Sequence, residues 1–164
     1  MNLVPYEPAL ARAVTDLYHR AVHAIDPKLY TPEQQEAWAP TPPDYEFWST
    51  RLKARQPLLA LDDDRLAGFI ELEADGHIDC FYVDPDYQHQ GVGARLYERI
   101  EKKARRDGIG RLFVEASLLA RPFFEKRGFA VVCRNEVCRQ GQVLINFTME
   151  KRLKNESTEQ RRVE

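Results

Sequence analysis

The sequence predicts an α+β fold, a mixed and mostly antiparallel sheet flanked by helices. Apolar residues recur at three- and four-residue spacing over residues 8–24 and 92–106, which is typical of amphipathic helices. Elsewhere, short apolar runs are separated by Asp, Gly and Pro, which is typical of strands and turns. The 164 residues suit one domain, predicted over residues 1–150, with a polar C-terminal tail over residues 151–164. The predicted order is β-α-α-β-β-β-α-β-α-β-β.

The first forty residues are predicted to hold one strand and two helices. A strand over Asn2–Tyr6 precedes a helix over Pro8–Ala24, whose apolar residues share one face. Thr31 stands where a helix N-cap is expected, and Gln34 follows three residues later, as in a capping box. This second helix should end near Trp38, because three prolines follow within five residues.

A further capped helix and an antiparallel meander follow. Asp44 is placed to cap a helix that continues through Leu52. Strands are predicted over Pro57–Leu61, Leu66–Glu73 and His77–Val83, because a run of three aspartates and an Asp-Gly pair separate them.

The rest of the chain alternates between helices and strands. A helix over Val92–Arg106 carries an apolar stripe, and a glycine follows its end. A strand over Arg111–Glu115 and a short helix over Arg121–Arg127 come next. The last two strands, Phe129–Val137 and Gln142–Met149, should form a hairpin around a Gln-Gly turn.

The composition excludes several classes of protein. The chain contains 8 Phe, 7 Tyr and 2 Trp, which argues against disorder because these residues build a core. No run approaches the roughly 18 apolar residues of a membrane span. The first residues lack the basic and then apolar pattern of a secretory signal. We therefore expect a cytoplasmic protein with no membrane partner.

The three cysteines, Cys80, Cys133 and Cys138, are an odd number, which argues against a disulfide framework. We interpret them as small buried hydrophobic residues in strands. No CxxC pair or histidine-rich cluster indicates zinc, so no metal is expected.

The net charge of −2 hides a division along the chain. Residues 1–90 carry 7 Lys and Arg against 16 Asp and Glu, a net charge of −9, whereas residues 91–164 have a net charge of +7. This asymmetry indicates an anionic ligand for the second half, and ordinary solvated helix faces are the alternative. The small total charge and the absence of a recognised motif argue against binding to nucleic acid.

The segment from Phe81 to Leu96 carries the strongest chemical signal. A strand ends, Gly91 and Gly93 follow, and a helix begins, so that backbone N–H groups at the helix N-terminus could bind a phosphate. A dinucleotide-binding fingerprint would need Gly or Ala at Leu96 and a preceding βαβ unit. A P-loop would need Gly-Lys-Ser/Thr, which is absent. The alternative is that the glycines merely shape a turn.

Two motifs resemble those of the GNAT superfamily of acyl-CoA N-acyltransferases. Gln88-x-x-Gly91-x-Gly93 matches its Q/R-x-x-G-x-G/A signature, and the segment Ala120–Phe129 is similar to its A-x-x-F-Y-E-K-x-G-F segment. The element order over residues 1–150 agrees with the GNAT fold. The segment Thr31–Trp38 further resembles a bacterial subgroup whose acceptors are small molecules or unassigned.

The resemblance implies an acetyl-CoA site. The pyrophosphate would be held by backbone N–H groups of Gln88, His89, Gln90, Gly91, Val92, Gly93 and Ala94. Phe81 and Val83, at a splayed strand end, would pair with pantetheine and the thioester carbonyl, where a fixed N–H stabilises developing negative charge. Ser117 falls where the family often has an Asn facing the cofactor, and Phe124 takes the place of the family's tyrosine beside the departing thiolate.

Phe124 cannot donate a proton to that thiolate. Tyr82 or Tyr97 could substitute, or the thiolate could leave with the help of water. A base is also needed because an amine arrives protonated and only the neutral form attacks. His77 aligns with the general-base glutamate of the histone-acetyltransferase branch; Asp79, Glu71 or water are the alternatives.

The acceptor site is expected among the N-terminal helices, where Tyr30, Trp38, Tyr45 and Trp48 gather near acidic residues that include Glu71. Aromatic rings and carboxylates suit a cationic amine, and securing short helices is the alternative role of these rings. The resemblance thus implies direct acetyl transfer from acetyl-CoA to a primary amine of a small molecule, peptide or protein. It also makes a homodimer an expectation, because dimers are common in folds of this kind. The alternative is a non-catalytic acyl-CoA-binding or regulatory module.

Overall fold

In the computed structural model, which describes residues 1–154, a single seven-stranded sheet is flanked by five α-helices. The elements in chain order are β1 (Asn2–Pro5), α1 (Ala11–His23), α2 (Pro32–Trp38), α3 (Tyr45–Arg55), β2 (Leu58–Asp62), β3 (Arg65–Leu72), β4 (His77–Val83), α4 (Val92–Arg106), β5 (Arg111–Ser117), α5 (Arg121–Glu125), β6 (Ala130–Arg139) and β7 (Gln142–Arg152). Single 3₁₀ turns at Pro8–Leu10 and Pro85–Tyr87 precede α1 and α4.

The sheet has the order β1-β2-β3-β4-β5-β7-β6. Only the central pair, β4 and β5, is parallel, and every other neighbouring pair is antiparallel. The predicted α+β class with a mixed, mostly antiparallel sheet is therefore confirmed. Within residues 1–154, no helix is long and apolar enough to cross a membrane.

Local sequence signals determined several element ends as expected. Thr31 and Gln34 form the reciprocal capping box at the start of α2, and the Asp44 carboxylate accepts a hydrogen bond at the start of α3. The predicted bounds of β4 and α4 are those observed. Three helices separate β1 from β2, which agrees with the three helices predicted one by one, although the predicted order counted only two.

The last strand extends beyond its predicted end. Arg152 pairs with Arg111 at the start of β5, so β7 runs alongside the whole of β5. Residues 151 and 152 therefore belong to the sheet rather than to a polar tail. The remainder of the predicted tail, from residue 155, lies outside the described residues.

Two hydrophobic clusters cover opposite faces of the sheet. One packs α4 against the central strands through Leu96, Ile100 and Met149, and the other packs α1 and α3 through Leu17 and Leu52. Adjacent residues of β3 join different clusters, as alternating strand geometry requires. Burying each such leucine contributes about 1.5–3 kcal/mol, so the clusters hold the helices on the two faces.

The expected burial of all three cysteines is wrong for two of them. Cys80 in β4 is buried, but Cys133 and Cys138 are exposed. Both lie on β6, which is the last strand of the sheet and pairs only with β7. Most of its side chains consequently face solvent.

Candidate active site

The central strands β4 and β5 separate after two residue pairs. They pair only at His77 with Phe113 and at Ile78 with Val114. From Asp79 onward, no described strand pairs with the β5-facing edge of β4. Backbone groups along this edge are consequently free to pair with an extended ligand.

A bulge in β4 lies at the point of separation. Ile70 of β3 pairs with Phe81, so regular antiparallel pairing would place Leu72 opposite Asp79. Leu72 pairs with Ile78 instead, which leaves one extra residue in β4. The extra residue in β4 allows the consecutive residues Asp79 and Cys80 both to line the same cleft. Bulges re-aim side chains in this way, and here they turn toward α1 and α3.

The N-terminus of α4 lies against the end of β4. Its N-cap residue, Gly91, has a left-handed backbone with φ of 81°, and no side chain caps the helix. A Cβ on Gly93 would lie 3.4 Å from Phe81, 3.6 Å from Phe123 and 3.6 Å from Val83. The first-turn N–H groups and the helix dipole suit a phosphate group, so this part of the chain fits the pyrophosphate of coenzyme A.

The loop before α4 is held by its own polar groups. The Gln88 side chain donates a hydrogen bond to the backbone carbonyl of Val83 at 3.2 Å, and the Gln90 side chain donates one to the backbone carbonyl of Asp86 at 3.1 Å. Asp84 is buried and bound by Arg20 at 2.5 Å. Burial opposes ionisation of Asp84, but the Asp86 amide and Arg20 lower its pKa below the ordinary value. These contacts fix the path from β4 into the helix.

A cleft of about 490 Å³ opens beside the β4 bulge. Its lining residues come from α1, the end of α2, the α2–α3 loop, α3, β4 and β6: Tyr18, His19, Trp38, Ala39, Pro40, Pro42, Pro43, Asp44, Phe47, Trp48, Arg51, Asp79, Cys80, Tyr82 and Arg139. The rings of Tyr18 and Trp48 lie 4.4 Å apart, and Tyr82 packs edge-on against Tyr18 at 5.0 Å. The cleft thus has an aromatic wall and charged groups around it.

Arg51 connects two of the acidic residues considered as bases. Its guanidinium donates to Glu71 at 2.5 Å and to Asp79 at 2.7 Å. Glu71 is 1% exposed and one of its oxygens has no partner in the described chain. Burial raises the pKa of Glu71 although Arg51 acts against it. Glu71 therefore lies behind Arg51, and of these two acidic residues Asp79 is the one that lines the cleft.

His77 is held between two other carboxylates. Its Nδ1 lies 2.9 Å from Glu73 and its Nε2 lies 2.5 Å from Glu115, while its ring stacks on Phe113 at 4.9 Å. Burial would lower the pKa of His77, but the hydrogen bonds to Glu115 and Glu73 outweigh it and raise the pKa above 6.5. His77 is not among the residues that line the cleft.

The two aromatic residues considered at the thiolate lie in different surroundings. Tyr82 lines the cleft, and burial raises the pKa of its phenol well above the ordinary value, so the phenol keeps its proton. Phe124 is 1% exposed and packs against Phe129 at 5.0 Å. Phe123, rather than Phe124, contributes the ring beside Gly93.

Tyr30 and Ser117 organise the backbone beyond β5. The Tyr30 hydroxyl accepts a hydrogen bond from the Leu118 amide at 3.0 Å and donates to the Ile145 carbonyl at 2.5 Å. Ser117 accepts from the Ala120 amide at 3.0 Å. Tyr30 packs edge-on against Trp38 at 5.3 Å, behind the cleft wall. Of the predicted acceptor residues, Trp38 and Trp48 line the cleft, whereas Tyr30, Tyr45 and Glu71 do not.

Two groups of three side chains place possible metal-ligand atoms within 4.8 Å of one another: His19, His23 and Glu36, and Glu73, His77 and Asp79. In the first group, His19 bonds to Thr41 and His23 to the Ala39 carbonyl, which fixes the loop after α2. The second group is bound by Arg51 and Arg55. Both are hydrogen-bonded networks of the protein.

Sequence reasoning missed several residues of the site. Arg51 lies one turn after Trp48 on α3, so helical spacing could have placed the two side chains together. Tyr18 could have been found in the same way, because it lies four residues after Val14 and four before Val22, which are both buried on α1. Arg139 reaches the cleft only because β6 lies at the edge of the sheet and pairs with β7, and no local signal marks it.

Comparison with known proteins agrees with this geometry. A sequence model described as an acetyltransferase (GNAT) domain matches residues 27–153. The chain belongs to the GNAT acetyltransferase family. Among its GNAT relatives, the Uncharacterized N-acetyltransferase YafP of Escherichia coli (strain K12) is 32% identical over 144 residues, which are 88% of this chain and 91% of YafP.

Solved GNAT structures share the fold. The GCN5-related N-acetyltransferase "Aminotransferase, Class-II" from Rhodopseudomonas palustris has a TM-score of 0.87 at 37% identity, over 93% of this chain and 95% of its own. The putative acetyltransferase yncA from Salmonella typhimurium, solved with its cofactor acetyl-CoA, has a TM-score of 0.69 at 18% identity, over 94% and 96% of the two chains. The family resemblance of the two sequence motifs is confirmed, and membership supports acetyl transfer in general.

Proposed function

We propose that this protein transfers the acetyl group of acetyl-CoA directly to a primary amine within a ternary complex. The observation that carries the proposal is that three features meet at one place. The unpaired edge of β4 begins at Asp79, the uncapped N-terminus of α4 lies against the end of the same strand, and the aromatic cleft opens beside the bulge. A thioester held along β4 would therefore face an amine held in the cleft.

Acetyl-CoA would be bound mostly by backbone. The N–H groups of residues 88–94 would bind the pyrophosphate, and the free edge at Phe81 and Val83 would pair with pantetheine. A backbone N–H at the bulge would stabilise the negative charge that develops on the thioester oxygen during attack. The acetyl-CoA bound in yncA supports this assignment of the ligand.

Asp79 is our choice for the residue that receives the amine. Its side chain lines the cleft at the bulge, and Arg51 fixes its orientation at 2.7 Å. The carboxylate would pair with the incoming ammonium and lead its proton to water, leaving the neutral amine to attack the thioester carbon. Glu73 and Glu115 occupy the two ring nitrogens of His77. His77 would therefore act on this step through the electrostatic effect of its charge on Asp79, and would not take the proton itself.

Tyr82 is our choice for the proton donor to the departing thiolate. Its phenol lines the cleft and stays protonated, because burial raises its pKa. Phe124 has no proton to give, and its ring is buried against Phe129. The C–N bond would form as the C–S bond breaks, and coenzyme A would leave as the thiol.

Acetyl-CoA binding and thiol release test the proposal. At 100 times its Kd, acetyl-CoA should stabilise the folded protein by about 2.7 kcal/mol. For a domain of this size, that is a rise in Tm of about 5–10 °C, with ATP and NADH as control ligands. Primary amines should then release free thiol. Stabilisation without thiol release for any amine would favour a non-catalytic acyl-CoA-binding module, and no stabilisation would contradict both functions.

A further inference from the structure

The two arginines that line the cleft differ in their partners. The charge of Arg51 is balanced by Glu71 and Asp79, and its neighbour Arg55 is bound by Glu73 at 2.6 Å. Three carboxylates thus surround two guanidinium groups at the end of the cleft beside the β4 bulge. Positive charge at this end is compensated within the protein.

Arg139 lines the same cleft from the end of β6 and is exposed. No hydrogen bond or ion pair engages its side chain within residues 1–154. Its charge reaches across the cleft to Tyr18: burial raises the pKa of the Tyr18 phenol, and Arg139 acts to lower it. Arg139 is therefore a cation directed at the cleft without a protein anion to balance it.

Asp44 and His19, which also line the cleft, already have partners. Asp44 accepts a hydrogen bond from the Phe47 amide at 3.0 Å, which caps α3, and His19 bonds to Thr41 at 2.9 Å. Neither is engaged with Arg139. An ammonium ion with no other charge would gain nothing from this arginine and would be repelled by it.

We infer that the acceptor amine carries an anionic group, and that Arg139 binds this group while the amine lies near Asp79. The inference rests on the proposed function and specifies its acceptor. A guanidinium presents paired N–H donors that match a carboxylate. The rings of Tyr18, Trp38 and Trp48 also line the cleft that Arg139 and Asp79 share. They suit an apolar segment that joins the amine of the acceptor to its anionic group. A cleft of about 490 Å³ is large enough for such a molecule.

A matched pair of amines tests the inference. The compound para-(aminomethyl)benzoate carries a carboxylate opposite its amine, and para-methylbenzylamine has the same ring and amine without it. We expect the protein to acetylate the carboxylated amine with a kcat/KM about tenfold higher or more, mainly through KM, because a charge-assisted hydrogen bond is added. The measurement is thiol release at saturating acetyl-CoA.

Variants assign the difference to one side chain. Arg139→Gln should raise KM for the carboxylated amine about tenfold. It should not lower kcat/KM for the neutral-tail amine, because that amine loses only a repulsive charge. Arg139→Glu should make the protein prefer the diamine para-xylylenediamine to the carboxylated amine, because a carboxylate at position 139 attracts the second ammonium group of the diamine. Arg134→Gln is the matched control, because Arg134 lies on the same strand, pairs with Glu136 at 3.1 Å and does not line the cleft. It should change neither value.

Three results would overturn the inference. They are equal use of the two amines, an equal effect of Arg139→Gln on both, and failure to acetylate either amine while another primary amine releases thiol. Failure of the proposed function has a different signature, since no amine of any kind would then release thiol, whether or not acetyl-CoA raises the Tm.

Discussion

The guanidinium of Arg51 lies 2.7 Å from the carboxylate of Asp79, so a residue of α3 fixes the orientation of the acidic side chain at the β4 bulge. The same guanidinium reaches back 2.5 Å to Glu71 in β3. One side chain thereby joins a helix to two strands and also positions the group that we assign to the amine. Stability and activity should both depend on Arg51.

Replacing Arg51 by methionine should be strongly destabilising. Glu71 is 1% exposed and would keep a buried charge with no cation beside it. Breaking such a pair from one side costs about 3 kcal/mol. For a domain of this size the expected fall in Tm is about 6–12 °C, measured by thermal unfolding.

The double variant Arg51→Met with Glu71→Leu distinguishes two causes of the lost stability: the loss of the ion pair itself and the cost of leaving the Glu71 charge buried without a partner. Removing the carboxylate as well should restore part of the lost stability, since no uncompensated buried charge remains. A double variant as unstable as Arg51→Met alone would show that Glu71 is not the cause.

His77 should make stability depend on pH in one direction. Its pKa is raised in the folded protein by Glu115 and Glu73, so protonated His77 stabilises the fold below about 6.5. That contribution is lost as the pH rises through the folded-state pKa. His77→Gln should therefore lower the free energy of unfolding more at pH 6 than at pH 9, measured by urea denaturation.

His89 provides the control for this measurement. It is exposed in the loop before α4, with φ of 63°, a backbone conformation that Asn tolerates. The stability change caused by His89→Asn should be the same at both pH values. An equal loss at both pH values for His77→Gln would contradict a stabilising role of its protonated form.

Tyr82→Phe should lower kcat and leave acetyl-CoA binding intact. The substitution removes the phenol proton but keeps the ring that packs against Phe69 at 5.8 Å and Tyr18 at 5.0 Å. Phe124→Tyr should not replace it, because position 124 is 1% exposed and a buried hydroxyl without a partner costs about 1–3 kcal/mol. Full activity of Tyr82→Phe, or a faster Phe124→Tyr enzyme, would contradict the assignment.

The features that short-range signals encode could be predicted from the sequence. The capping box of Thr31 and Gln34, the Asp44 cap and the helix that begins at Val92 all depend on residues within four positions of one another. The loop around Gly91 is of the same kind, because glycine supplies a left-handed backbone where the helix begins.

The cleft could not be predicted in the same way, because it depends on pairings between distant residues. The bulge that places Asp79 on the wall appears only in the register with β3, and the pairing of Ile78 with Val114 shows where β5 departs. Arg139 reaches the cleft through the β6–β7 hairpin. Phe124 illustrates the same limit, since the motif gave its position but not the burial of its ring.

Gly93→Val should weaken acetyl-CoA binding more than it weakens the fold. A Cβ at this position already lies 3.4 Å from Phe81, and two further methyl groups would press on that ring and on Phe123. Such overpacking costs about 1–3 kcal/mol and displaces the first turn of α4, whose N–H groups we assign to the pyrophosphate. Losing even one charge-assisted bond should raise the Kd for acetyl-CoA about tenfold or more, measured by isothermal titration.

Gly110→Ala is the control, because a Cβ there meets nothing within 4 Å and α4 is untouched, so its Kd should be that of the parent protein. An unchanged Kd for folded Gly93→Val would place the pyrophosphate elsewhere.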